Sequence, residues 1–356
     1  MPRSGWSLTR RMMALAVAIG LFGAACGGST GARQGSRRRV SPEVRGSMIT
    51  LQYPLPDLTR LELPSQRRVP FPPSGIVGDA FASTAFTDRD GTVYVFYQLN
   101  GALSRLYRFP RTGKPGPVGP PLRNAGEASR VAGVVLTSTC FAHGGRVLVL
   151  DLKAPTAWRP IGAGCSAALS PDHKTVAFVR SGPDGLEIWQ SAVDGSGQPH
   201  RLWSISSLPE LRALGIRHPV SGGDLTWGPG GIAMRIFQSN AQAIVIRRPS
   251  GQVRVIDLGQ MTSDPPENVR WQPNGDLLAY VQSLTAGGAA LRVFDAATAA
   301  TRVLATDPRG FGQPVWSPDG RAIAIPTFRD TVIIADLSGV WLARVTSGGF
   351  PVAWTT

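Results

Sequence analysis

A five-residue phrase constrains this chain more than any other feature. It consists of a large apolar residue, a small or polar residue, proline, then Asp, Asn or Gly, then Gly or His. It occurs as Leu169-Ser170-Pro171-Asp172-His173, Trp227-Gly228-Pro229-Gly230-Gly231, Trp271-Gln272-Pro273-Asn274-Gly275 and Trp316-Ser317-Pro318-Asp319-Gly320. The apolar positions are 58, 44 and 45 residues apart. Proline fixes φ at the first turn position, Asp or Asn tolerates the bridge and left-handed regions, and Gly takes positive φ. The phrase therefore closes a hairpin, and the large residue ends the strand before it and packs between neighbouring units. Periods of about 40–50 residues with four short strands each belong to propeller blades.

Strand-like runs fill the intervals. A second strand follows the turn at Thr175–Val179, Leu277–Val281 and Ala322–Ile325, a third at Leu186–Trp189, Leu291–Asp295 and Val332–Asp336, and a fourth at Arg302–Ala305. Each unit reads as a four-stranded meander. Gly and Pro make up about a fifth of the 356 residues, as a turn-rich chain needs, while 42% hydrophobic against 17% charged residues excludes global disorder.

Trp-Ser-Pro-Asp-Gly followed by an alternating strand resembles the WD-repeat-like blade motif of TolB-type propellers. The resemblance covers about 163–354 by motif and 75–162 by pattern, where Phe86–Gly91 before Thr92–Tyr97 is a variant hairpin and Val131–Leu152 lacks the phrase. It implies an all-β propeller of four-stranded blades. Six units fall near 75–122, 126–162, 163–205, 222–259, 268–306 and 313–347. Pro351–Thr356 then repeats a first strand, with Trp354 38 residues after Trp316. Ile49–Tyr53 and Leu58–Leu63 are expected to partner it, closing the ring with N- and C-terminal strands into a seventh blade, with six blades as the alternative count. The propeller domain is expected to span 48–356.

The N-terminus reads as an export device. Met1–Arg11 is basic, Met12–Ala25 is a 14-residue apolar run, and Gly23-Ala24-Ala25 are small. The run is shorter than the roughly 20 residues that span a bilayer. Gly-Ala-Ala-Cys resembles the lipobox of bacterial lipoproteins, with Gly23 standing where Leu is usual. That resemblance implies a signal peptide over 1–25, lipidation of Cys26, and a Gly/Ser/Arg-rich tether over 26–47 with Arg37-Arg38-Arg39 near anionic head groups. It also implies a place on the outer face of the cytoplasmic membrane. Cleavage after Ala25 to give a secreted protein is the alternative. With Cys26 lipidated, Cys140 and Cys165 form an even pair, either disulfide-bonded or buried as two free thiols.

The chain carries a net charge of +14, but its first 47 residues hold eight arginines and one glutamate, half of that excess. The propeller is therefore only mildly basic, and nucleic acid is not expected as a partner. No zinc-binding His pair, phosphate loop or nucleophile elbow is present. Gly164-Cys165-Ser166-Ala167-Ala168 fails the elbow pattern at its last position, and Asp88-Arg89-Asp90-Gly91 reads as a turn rather than a calcium loop. His143, His173, His200 and His218 are the only histidines, with His173 in the Gly position of its phrase. Most of Trp158, Trp189, Trp203, Trp227, Trp271, Trp316, Trp341 and Trp354 are expected in the core between blades rather than on a sugar-binding face. No catalytic, metal-binding or cofactor-binding residue is assigned.

The leading expectation is a tethered extracytoplasmic binding or scaffold module for a protein or cell-envelope partner. The alternative is a propeller hydrolase or lyase acting on glycan or peptide, marked by two or more carboxylates or a histidine cluster in the funnel. A third reading is a sensor that passes a ligand signal to a membrane partner.

Overall fold

The structure, a computed structural model, describes residues 44–355 except 52–57, 72–80, 89, 100–102, 124, 132, 142–143, 218–220, 239–240, 261–268, 329–330, 339–340 and 347–349. The signal segment, Cys26, most of the tether, His143 and His218 lie outside the described residues. No helix among the described residues is long and apolar enough to cross a membrane.

The strands follow in chain order. β1 (Gly46–Leu51), β2 (Leu58–Leu63) and β3 (Arg67–Pro70) precede the first complete blade, which is β4 (Phe81–Thr87), β5 (Val93–Gln98), β6 (Leu103–Phe109) and β7 (Gly116–Arg123). The second blade is β8 (Ala125–Val131), β9 (Val134–Phe141), β10 (Gly144–Asp151) and β11 (Arg159–Ala163). The third is β12 (Cys165–Leu169), β13 (Thr175–Gly182), β14 (Gly185–Ala192) and β15 (His200–Ser204), followed by α1 (Pro209–Ala213). The fourth is β16 (Ser221–Gly228), β17 (Gly231–Gln238), β18 (Ala241–Arg247) and β19 (Val253–Gln260). The fifth is β20 (Val269–Trp271), β21 (Leu277–Ser283), β22 (Ala289–Asp295) and β23 (Thr301–Asp307). The sixth is β24 (Val315–Trp316), β25 (Ala322–Thr327), β26 (Thr331–Asp336) and β27 (Trp341–Thr346), and β28 (Phe350–Thr355) ends the chain.

These strands form seven four-stranded antiparallel sheets, each a meander in chain order except the last, ordered β28-β1-β2-β3. The protein is a seven-bladed β-propeller. First strands of neighbouring blades touch around the ring, β4 with β8, β8 with β12, β12 with β16, β16 with β20, β24 with β28 and β28 with β4. The ring closes as expected: β28 supplies the inner strand of a blade completed from the other end of the chain, pairing Met48 with Trp354 and Ser47 with Thr355. That blade gains a strand the sequence did not announce. β3 is short, carries Arg67 and Arg68, and is mostly exposed, so it has no apolar alternation to read, and its charge and proline suit an outer edge. The described chain enters its blade at Val44 and Gly46, two residues or more before position 48, with Val44 buried.

The core consists of seven seams rather than one centre, because each blade buries both of its faces against its neighbours. Seven buried apolar clusters occur among the described residues, one for each adjacent pair of blades. The phrase-leading residues lie in these seams: Leu169 between blades two and three, Trp271 between four and five, Trp316 between five and six. Trp227 packs against the seam between three and four, and Trp354 lies between six and the composite blade. Burying such a side chain is worth about 1.5–3 kcal/mol relative to exposure.

The turn phrase works through its small polar residue. Ser317 Oγ donates to Asp319 Oδ1 (2.6 Å) and accepts from the Ala322 N–H (2.9 Å). Ser170 does the same with Asp172 and Thr175. Positive φ falls where the phrase places Gly, at Gly320 (+71°) and also at His173 (+64°). Blade four lacks Ser and Asp for a steric reason. The Trp271 side chain lies against Gly228 and Gly230, and a Cβ on either would sit 2.4 Å from it. In blade one Asp90 Oδ1 accepts from the Thr92 N–H (2.8 Å) and Oδ2 from the Thr92 hydroxyl (3.0 Å), which makes this segment a hairpin turn.

Candidate functional site

The inner strands run parallel around the axis, so their C-terminal ends and the phrase turns crowd one mouth of the channel. There they enclose a cavity of about 580 Å³ lined from blades one, three, four and five. Thr84–Phe86 come from β4, Ala167–Pro171 and His173 from β12 and its turn, Leu225–Pro229 from β16 and its turn, and Arg270–Asn274 from β20 and its turn. Phe86, Leu169, Trp227 and Trp271, successively 83, 58 and 44 residues apart, meet here because each lies at or near the end of an inner strand.

The cavity is walled by Trp227, Trp271, Leu169 and Phe86 and carries Arg270 and His173 as its ionisable side chains. Arg270 donates through Nη1 to the Val269 carbonyl (3.1 Å) and through Nε and Nη2 to the Gln313 amide oxygen (3.1 Å from Nε). Its own carbonyl accepts from Trp316 Nε1 (3.0 Å), which fixes the strand that carries it. Gln272 Nε2 donates to the Gly320 carbonyl (2.8 Å), tying the turn of blade five to that of blade six. Trp271 Nε1 is buried with no hydrogen-bond partner. Among the described lining residues there is no Asp or Glu and one histidine. The carboxylate pair or histidine cluster expected of a funnel enzyme is not assembled by them.

The nearest carboxylates are committed to turns. Asp172 and Asp319 hold their Ser hydroxyls, which keep both acids below the ordinary aspartate range. Asp151, Asp194, Asp295 and Asp336 each accept a backbone N–H two residues on, at 2.8, 2.8, 2.8 and 2.9 Å, where third strands turn into fourth strands. A second cavity of about 670 Å³ at the same end lies between blade six and the composite blade, against Val44, Gly46, Trp354, Asp319 and Asp336. Both of its acids are already turn caps. No group of three His, Cys, Asp or Glu that could hold a metal ion occurs among the described residues.

Cys140 on β9 and Cys165 on β12 bring their sulfurs together across the seam between blades two and three, with Cα atoms 5.4 Å apart, a separation usual for a disulfide. Ser166 follows at a β-bulge with φ of +42°, in a strand rather than a strand-to-helix elbow. The tryptophans divide as follows. Trp271, Trp316 and Trp354 are 7% exposed. Trp158, Trp189, Trp203 and Trp227 are half-buried against seams, Trp158 donating to the Pro120 carbonyl at 2.8 Å. Sequence reasoning named no lining residue as a site. Its only signal was the phrase, whose meaning as a channel rim depends on the ring.

No protein-family model matches the chain, and no curated protein matches it in sequence. Similar solved structures include a candidate 6-phosphogluconolactonase from Bacteroides uniformis, 15% identical over 86% of this chain and 98% of that one, with a TM-score of 0.56. AztD from Citrobacter koseri is 12% identical over 86% and 96%, with a TM-score of 0.55. TolB from Acinetobacter baumannii is 14% identical over 87% and 82%, with a TM-score of 0.48. At these identities the likeness is one of fold, and the first two carry it.

Proposed function

We propose that this chain is an extracytoplasmic binding module, lipid-anchored through Cys26, that holds a protein or cell-envelope partner at the channel mouth formed by the phrase turns. The observation that carries this reading is the cavity there. It is assembled from four blades, walled by aromatic and aliphatic side chains with one arginine, and contains no acid among its described lining residues. Such a lining buries apolar surface and orients a polar group, and it offers no general acid–base pair of the kind hydrolysis or lysis of a glycan or peptide uses. The described chain enters the ring at Val44–Gly46 at this same end. A partner held at this mouth then lies at the end of the ring where the described chain begins.

The test uses the full chain in its native membrane. A photo-crosslinker at Asn274, exposed on the rim, is expected to capture a defined envelope protein or polymer, while one at Arg254 on an outer strand is not. Wild type is expected to carry acyl mass and pellet with membranes, and Cys26→Ala to keep its signal or be released. Equal labelling from both positions, or turnover of a glycan or peptide by the purified protein, overturns the binding reading. Soluble, unmodified wild type overturns the anchor.

A further inference from the structure

At the opposite end of the ring, between β15 and β16, the chain inserts residues 205–220, longer than any other described connection between successive blades. The insertion is fastened from beneath. Ile205, Leu211 and Ile216 are at most 1% exposed and join the seam between blades three and four. Ile216 N–H donates to the Leu211 carbonyl (2.9 Å), Gly215 N–H to the Arg212 carbonyl (3.0 Å), and Arg217 N–H to Gln238 Oε1 (2.8 Å). Arg212 and Arg217 stand exposed on this held loop, and neither has a carboxylate partner among the described residues.

They share a cavity of about 850 Å³ with Arg201 of β15, Ser204, Ser206 and Asp184. Arg201 keeps one end on Glu187, Nη1 to Oε1 at 3.0 Å, and its side chain is 57% exposed. Glu187 also accepts from Trp189 Nε1 (2.8 Å), and these two donors hold it below the ordinary glutamate range. Its charge is thereby spent beneath the cavity. Among the described lining residues, three arginines, from a strand, a helix and a loop, share the cavity with one acid, Asp184. Guanidinium forks match phosphate oxygens geometrically, and a buried apolar footing lowers the ordering cost of presenting them. Among the described residues the lining has no aromatic side chain on which a base could stack. It does have serine hydroxyls and a carboxylate suited to the hydroxyl groups of a carrier.

We infer that this cavity binds the phosphate of a polyol or sugar phosphate, with Arg201, Arg212 and Arg217 on the phosphate and Asp184 with the serines on the carrier's hydroxyls. The site is independent of the channel mouth and of the anchor. Calorimetric titration of the full-length protein in detergent with glycerol 3-phosphate, inorganic phosphate and glycerol tests it. Glycerol 3-phosphate is expected to bind saturably, inorganic phosphate more weakly and glycerol not at all. The exposed double variant Arg212→Ala/Arg217→Ala, at an unchanged melting temperature, should bind at least about tenfold more weakly. Arg254→Ala should bind like wild type. Absence of saturable binding, or wild-type affinity in the double variant, overturns the site. Equal affinity for inorganic phosphate overturns the carrier part. Vesicles of phosphatidylglycerol against phosphatidylcholine separate the sources, because arginine-dependent binding to the former alone identifies a lipid head group and its absence a soluble phosphate.

Discussion

The serine of the turn phrase does more for this protein than its size suggests. Ser317 is 5% exposed and serves one acceptor and one donor at once, so Ser317→Ala leaves a backbone N–H and a carboxylate short of a partner. A loss of about 1–2 kcal/mol in unfolding free energy is expected from urea titration. The same hydroxyls set a pH dependence. Ser170 and Ser317 are the largest influence lowering the pKa of Asp172 and Asp319. A carboxyl whose folded pKa is depressed contributes stability above its unfolded value, near pH 4, and loses it as pH falls through the folded value. Stability should therefore decline below about pH 4, and more gently in Ser170→Ala/Ser317→Ala. An unchanged slope in that variant would assign the decline to other groups. These residues were legible in the sequence, because a turn is decided by neighbours within five positions.

Among the elements, blade two was the hardest to read, and among the described residues it is the one that brings a cysteine pair together across a seam. It lacks the phrase, turning instead between Val131 and Val134 around Gly133 at φ of +89°. Cys140 and Cys165, 25 residues apart, join its second strand to the first strand of blade three. A disulfide closing a loop of that length removes unfolded-state entropy worth about 3 kcal/mol in the chain-entropy picture. Non-reducing peptide mapping of the exported protein is expected to find the linked peptides, and reductant to lower the melting temperature by several degrees. Two free thiols by alkylation, with an unmoved melting temperature, would sink the pairing. Two elements gave no sequence signal. β3 is a polar edge strand, and α1 has five residues, too few to show a helical period.

At the scale of the whole molecule, stability depends on closure. β28 pairs with β1 over Ser47–Leu51, and Trp354 donates from Nε1 to the Arg45 carbonyl (3.2 Å) while filling the seam to blade six. Removing residues 350–356 deletes the inner strand of one blade and opens two seams. Truncating Trp354 alone costs about 3–5 kcal/mol, a large part of the 5–15 kcal/mol typical of a folded domain. The truncated chain is expected to lose its cooperative thermal transition in calorimetry, and a melting temperature within a few degrees of wild type would contradict closure as the source of that stability. The sequence by itself determined the repeat, its turns, the seam-filling tryptophans and the end-to-end closure, since each follows from local turn chemistry and a period of about 45 residues. Only the tertiary structure decided that Phe86, Leu169, Trp227 and Arg270 share one cavity and that Arg201, Arg212 and Arg217 share another. Those sites join single residues from separate blades or from an insertion outside the repeat, and no local pattern records which of them a closed ring brings together.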